Sequence, residues 1–219
     1  MSKWSTISQL RYQGFKAADA FMTTAQAVFT QNLAVGEVSE SFRTRFQEPV
    51  TCEMRYVGKA MAPTLKGAVE GKTIGEKLLL RKLRLPSPSS VFPGDMIAFK
   101  ILLDEQEKVL VRRVAAQAGD EMVSSDPTDE AFYLPKGTFW VESDNENLSP
   151  KEALDSRHFG AVAYENVLGR ALYFYTSDMD HGSIDNSEEA MSIDEPVLLH
   201  ELDLEQLGSD TIDSTYKGA

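Results

Sequence analysis

Gly58-Lys59-Ala60-Met61-Ala62-Pro63-Thr64-Leu65 directly follows a strand-like run from Val50 to Val57. Pro63 fixes its own φ and biases Ala62 toward extended geometry, so a strand feeds a stiff turn that can hold one side chain in a defined place. At Ala60 that side chain is a methyl group. Further runs rich in Val, Ile, Leu and aromatics occupy Lys77 to Leu83, Met96 to Leu102, Val109 to Ala115, Thr138 to Val141 and Val167 to Tyr175. Turn-forming stretches separate them: Pro86-Ser87-Pro88-Ser89-Ser90, Pro93-Gly94, Gln117-Ala118-Gly119-Asp120 and Pro135-Lys136-Gly137. Many short strands with frequent turns predict a mainly β, antiparallel, barrel-like domain over residues 50–176.

The opening stretch resembles the nucleophile loop of the type I signal peptidases and the related mitochondrial inner membrane proteases, Gly-x-Ser-Met-x-Pro-Thr-Leu. Other boxes of that family follow in order. Gly94-Asp95-Met96-Ile97 resembles its Gly-Asp-hydrophobic box, and Val111-Arg112-Arg113-Val114 with Gly119-Asp120 resembles the box that carries its lysine base. Asp144-Asn145 comes next, then Asp155-Ser156-Arg157-His158-Phe159-Gly160-Ala161-Val162 and Gly169-Arg170-Ala171. The resemblance covers roughly Cys52 to Tyr175 and implies a serine endopeptidase fold acting on signal or targeting peptides.

Family members cleave with a serine and a lysine that burial keeps neutral, since desolvation lowers a lysine pKa. The resemblance places Ala60 at the serine and Arg112 at the lysine. Alanine has no nucleophilic atom, and a guanidinium stays protonated and offers no acceptor. Losing either partner of such a site costs up to about a millionfold in turnover. Gly58 falls at the oxyanion position, where mitochondrial members also often have glycine. Met61, Pro63, Asp144, Asn145, Asp155, Ser156 and Arg157 are the expected supporting residues, with Asp155 and Arg157 as an ion pair near the site. Lys59, in an extended segment, is expected to point away from Ala60. Thr64, Ser143, Ser149 and Ser156 are candidate hydroxyls for a relocated dyad. Two departures mark the cleft wall: Ser143 replaces a glycine, and the loop from Asn145 to Asp155 is lengthened within Ser149-Pro150-Lys151-Glu152-Ala153-Leu154.

The 219 residues, 42% hydrophobic and 26% charged, suit one ordinary domain with extensions. A lone cysteine, Cys52, excludes an internal disulfide and a cysteine-rich metal site, and is expected to be buried. His158, His181 and His200 lack ligand-like spacing, so no metal or other cofactor is expected. The net charge of -12 is uneven: from Ser177 onward twelve acids face the single base Lys217. The nearly neutral body has no basic stripe, which argues against a nucleic-acid partner.

Residues 1–36 hold a helical pattern, with Ile7, Leu10, Phe15, Ala18, Phe21, Met22, Ala25, Val28 and Phe29 at spacings of mostly three and four. Lys16, Asp19, Thr23, Thr24, Gln26 and Gln31 interrupt it too often for a membrane span. Lys3, Arg11 and Lys16 precede the first acid, Asp19, with Ser2, Ser5 and Ser8 interspersed, so the helix reads either as packing on its own domain or a partner, or as a targeting helix. A membrane-surface helix is the third option. Residues 37–49 read as a polar connector and 177–219 as an acidic, solvated tail in which Val197, Leu198, Leu199, Leu202, Leu204 and Leu207 could form a short helix.

The resulting expectation is a catalytically degenerate relative of the inner membrane proteases, a binding or scaffold subunit in an organellar membrane assembly. Its partner would be a protein or a peptide presequence, its location mitochondrial or chloroplast, with peripheral membrane association. The alternative is an active endopeptidase removing targeting peptides, through a relocated dyad or an active partner. A third reading is that only the scaffold is shared.

Overall fold

The structure, a computed structural model, describes residues 3–31, 34–67, 75–123 and 130–215. Ser2 and Lys217 lie outside them. The chain divides into two compact units, Met1–Val50 with Ile193–Ala219, and Thr51–Ser192.

In the first unit, α1 (Lys3–Gln31) follows the expected helical pattern, but its buried stripe is not the bulky one. Tyr12, Ala20, Thr23, Thr24 and Ala27 are buried, whereas Ile7, Leu10, Phe21, Met22 and Phe29 are exposed. The two stripes lie on different faces of one helix, so a spacing of three and four alone could not choose between them. Tyr12 stacks on His200 at 3.7 Å between ring centroids, and Arg11 pairs with Glu195 at 2.5 Å. The connector is helical: α2 (Val35–Gln47) starts where Glu37 accepts from the Ala34 N–H at 2.8 Å, and Phe42 stacks on Phe46 one turn later. No described helix is long and apolar enough to cross a membrane.

The second unit is the predicted antiparallel β domain. Its strands are β1 (Thr51–Tyr56), β2 (Glu76–Lys82), β3 (Met96–Leu103), β4 (Gln106–Gln117), β5 (Glu121–Met122), β6 (Phe132–Tyr133), β7 (Thr138–Glu142), β8 (Val162–Ala163), β9 (Val167–Ser177) and β10 (Asp180–Ser183). The main sheet runs β1-β2-β9-β3-β4-β7-β8, with β10 paired to β9 and β5-β6 forming a separate ribbon. Two short helices, α3 (Pro150–Ala153) and α4 (Ser156–Phe159), lie between β7 and β8. Along β3, Met96 and Ala98 enter one apolar cluster and Ile97 and Phe99 another, so this central strand is covered on both faces. Cys52, expected to be buried, is exposed although it shares its phase along β1 with the buried Tyr56.

Two boxes far apart in sequence meet inside this unit. Arg170 on β9 donates through Nε to Asp95 at 3.0 Å, and neither side chain is exposed. The acidic segment expected to be solvated starts as part of the same unit: β10 extends the sheet, Ile184 is buried, and Ser187 donates its hydroxyl to Asp95 at 2.7 Å. There α5 (Glu188–Thr215) begins, with Ser187 Oγ accepting from Ala190 N–H. Composition marked this segment as polar but carried no information on which polar groups had buried partners.

Candidate functional site

Residues 54–60, from β1 and the loop after it, face Val109 to Arg112 of β4 across a groove of about 480 Å³ that Leu148, Glu152 and Leu154 close on one side. Ala60 and Arg112 therefore line one cleft, and both are nearly buried, at 6% and 4% exposure.

The loop is held from below and from the side. Met61 and Leu65 are fully buried in the cluster that includes Leu78, Met96 and Val111. The Met61 N–H donates to the Tyr56 hydroxyl at 3.0 Å, and the Leu65 N–H to the Met61 carbonyl at 2.7 Å. The Ala62–Pro63 bond is cis. Asn145 pins the Ala60 position by donating its backbone N–H to the Ala60 carbonyl at 3.0 Å and its side-chain amide to the Lys59 carbonyl at 2.9 Å. Asp144 accepts from the Thr64 hydroxyl at 2.6 Å and takes a two-pronged contact from Arg113, both at 2.8 Å. Gly58 adopts φ 145°, a conformation that favours glycine. The chain turns here instead of continuing extended, and Lys59 is among the residues that line the groove.

Arg112 is held by carbonyls and not by a carboxylate. Nη1 donates to the Val111 carbonyl at 2.5 Å and Nη2 to the Ala153 carbonyl, while Nε has no partner among the described residues. Burial pushes its pKa down, with Tyr56 and Asp155 acting the other way; the guanidinium remains a cation at neutral pH. Arg112 and the lengthened loop thus belong to one feature. The lengthened loop folds into α3, capped by Ser149 and Glu152, and Leu154 ends it in the left-handed region at φ 49°. The last helical residue, Ala153, presents the carbonyl that seats Arg112.

Asp155 and Arg157 form the expected pair, at 2.6 and 3.1 Å, with the carboxylate unexposed. Asp155 also accepts from the N–H groups of Ser143 and Arg157. Burial would push its pKa up, but the Arg157 side-chain bond, the two N–H bonds and the Arg157 charge outweigh it and hold the carboxyl below its ordinary value. Ser156 is buried and accepts from the Val141 N–H. None of the candidate hydroxyls Thr64, Ser143, Ser149 and Ser156 lines the groove. Thr64 is bonded to Asp144, Ser143 to the Asn145 carbonyl and Ser149 to Glu152.

Sequence reasoning missed Tyr56, Glu76 and Ala153. Glu76 is buried and accepts from the N–H groups of Lys66 and Gly67, at 3.0 and 3.3 Å, which closes the far end of the loop. Its signal was available: Glu76 is in phase with the buried Leu78 and Leu80, so strand alternation places this acid inward. Nothing in the sequence pointed to Ala153, whose part is a backbone carbonyl.

No model of a known protein family matches the chain. Curated relatives do. Over 151 residues it is 42% identical to the mitochondrial ATP-independent inner membrane protease subunit 2 of Arabidopsis thaliana, covering 68% of this chain and 70% of the relative. It is 32% identical over 116 residues to the mitochondrial inner membrane protease subunit 2 of Saccharomyces cerevisiae, covering 52% and 62% of the two chains. Over 97 residues it is 29% identical to the mouse mitochondrial inner membrane protease subunit 1, covering 43% and 55%. With the stretches at Gly58–Ala60 and Val111–Arg112 lining one groove and this likeness along two thirds of its length, the chain belongs to the mitochondrial inner membrane protease family of signal-peptidase-like proteins.

Proposed function

We propose that this protein is a catalytically degenerate family member that serves as a binding or scaffold subunit of a protease assembly at the mitochondrial inner membrane. The observation that carries the reading is the seat of Arg112: its guanidinium is fixed by the Val111 and Ala153 carbonyls in the groove that Ala60 lines. A methyl group cannot attack a peptide bond, and a fixed cation cannot take the proton from a neighbouring hydroxyl. The relatives named as protease subunits support a protein or peptide partner and an inner-membrane location.

Incubation of the purified chain with a panel of presequence peptides, read by mass spectrometry, is expected to leave every peptide intact. A serine-directed acylating probe is expected not to label it. Co-purification from mitochondria is expected to recover a protein with an intact serine and lysine of this family. Cleavage that scales with this chain would replace this reading with the alternative of an active endopeptidase.

A further inference from the structure

The groove of a peptidase that has lost its nucleophile and gained a buried cation is chemically a receptor for an anion. Arg112 is 4% exposed, and its Nε–H has no acceptor among the described residues. No side-chain carboxylate is hydrogen-bonded to it: Asp155, the nearest in electrostatic effect, is already gripped by both prongs of Arg157. That Nε–H has no accessible surface, so the donors uncommitted among the described residues on the groove's lining are the Ala60 N–H and the Tyr56 O–H, which accepts from Met61 but donates to nothing. Burying donors without acceptors costs free energy that a ligand oxygen would recover.

The charge of the lining agrees. The residues that line the groove include three bases, Arg55, Lys59 and Arg112, against one acid, Glu152, in a chain whose net charge is -12. Glu152 is itself engaged by Ser149, whose hydroxyl and N–H lower its pKa. Apart from Tyr56, the remaining walls are apolar side chains and a glycine, including Met54, Val57, Val109 and Leu154.

From this we infer that the groove binds a peptide ending in a free C-terminal carboxylate, which takes the Arg112 guanidinium as its counter-ion while its last side chains rest on the apolar walls. A chain end suits a cation at the floor of the groove. It delivers the charge without burying a further stretch of backbone whose N–H and C=O groups would lack partners. The proposal rests on the reading that the chain does not hydrolyse what it binds.

The test measures binding of fluorophore-labelled peptides built from small and aliphatic residues, by anisotropy, to the full chain. Three forms of one sequence are compared: the free acid, the C-terminal amide, and the amide with an internal Glu. The free acid is expected to bind at least about tenfold more tightly than either amide, the range of one charge-assisted hydrogen bond. Arg112→Gln is expected to erase that preference. Ala60→Asp, which places a carboxylate in the groove that Arg112 lines and so does not depend on tolerating a lost cation, is expected to weaken binding of the acid peptide. Equal affinity for acid and amide, or no binding of either, overturns the proposal. Preference for the internal Glu peptide overturns the assignment to a chain terminus. Mass spectrometry of the recovered peptides separates the two readings: an intact peptide that binds weakly defeats only the carboxylate site, and a cleaved one defeats the degenerate reading beneath it.

Discussion

At position 112, where the resemblance implies a lysine, the arginine would differ from it in shape as much as in charge. A guanidinium reaches the Val111 and Ala153 carbonyls at once, from two nitrogens of one planar fork. An ammonium is a single point and cannot span both. Arg112→Lys is therefore expected to leave at least one buried carbonyl unsatisfied and to cost about 1–3 kcal/mol, read from urea denaturation midpoints. Ala60→Ser alone is expected to produce neither probe labelling nor peptide cleavage, because the hydroxyl it introduces meets a cation instead of a base. Asp155 gives a pH-dependent counterpart. Its carboxyl is held below its ordinary value in the folded state, so its stabilising contribution is complete above the unfolded pKa of about 3.9 and is lost as the pH falls through the folded one. In Asp155→Asn that contribution is absent at every pH. The stability gap between natural protein and variant is thus expected to be constant near neutrality and to close below about pH 4 in a denaturation series.

The loop from Gly58 to Gly67 shows what an element can require that its letters only partly declare. Gly67 sits at φ 67°, and a Cβ built there would come within 1.8 Å of the Gly58 carbonyl oxygen. That neighbour is backbone and cannot rotate away. Gly67→Ala is expected to cost about 2 kcal/mol or more and to weaken peptide binding as well, since the loop that moves carries Ala60; thermal unfolding and the anisotropy assay read the two effects. The strands were legible because their runs of branched and aromatic residues are bounded by Gly and Pro, and β1, β2, β3, β4, β7 and β9 fall where those runs lie. The ordered boxes pointed to Ala60, Arg112 and Asp144-Asn145 as a candidate site; the fold sets the first two on one groove and bonds Asn145 to the loop that carries Ala60. The seat of Arg112 was not, because Ala153 contributes only a carbonyl and α3 is one turn long. The stripe of α1 that packs was misread for a related reason: Tyr12, Ala20 and Ala27 are small or half-polar beside Phe21, Met22 and Phe29, and hydrophobicity ranks them the wrong way.

For the β unit as a whole, the decisive contact is the buried pair between the start of β3 and β9. Asp95 opens β3 and accepts from Arg170 of β9, from the Phe92 N–H at 2.9 Å, and from the N–H and hydroxyl of Ser187. One carboxylate thus joins the centre of the sheet to the residue that caps α5. Removing a single partner of such a pair strands a buried charge, whereas replacing both with apolar groups can be nearly neutral. Asp95→Ala is expected to destabilise by about 3–5 kcal/mol, and Asp95→Leu combined with Arg170→Met to recover much of that loss in a double-mutant cycle. The apolar pair still cannot replace the bonds to Ser187. Hydrogen exchange at residues 184–190 is therefore expected to stay faster than in the natural protein even where global stability has been restored. Equal protection in that segment would mean that β10 and Ile184 hold it without help from Asp95.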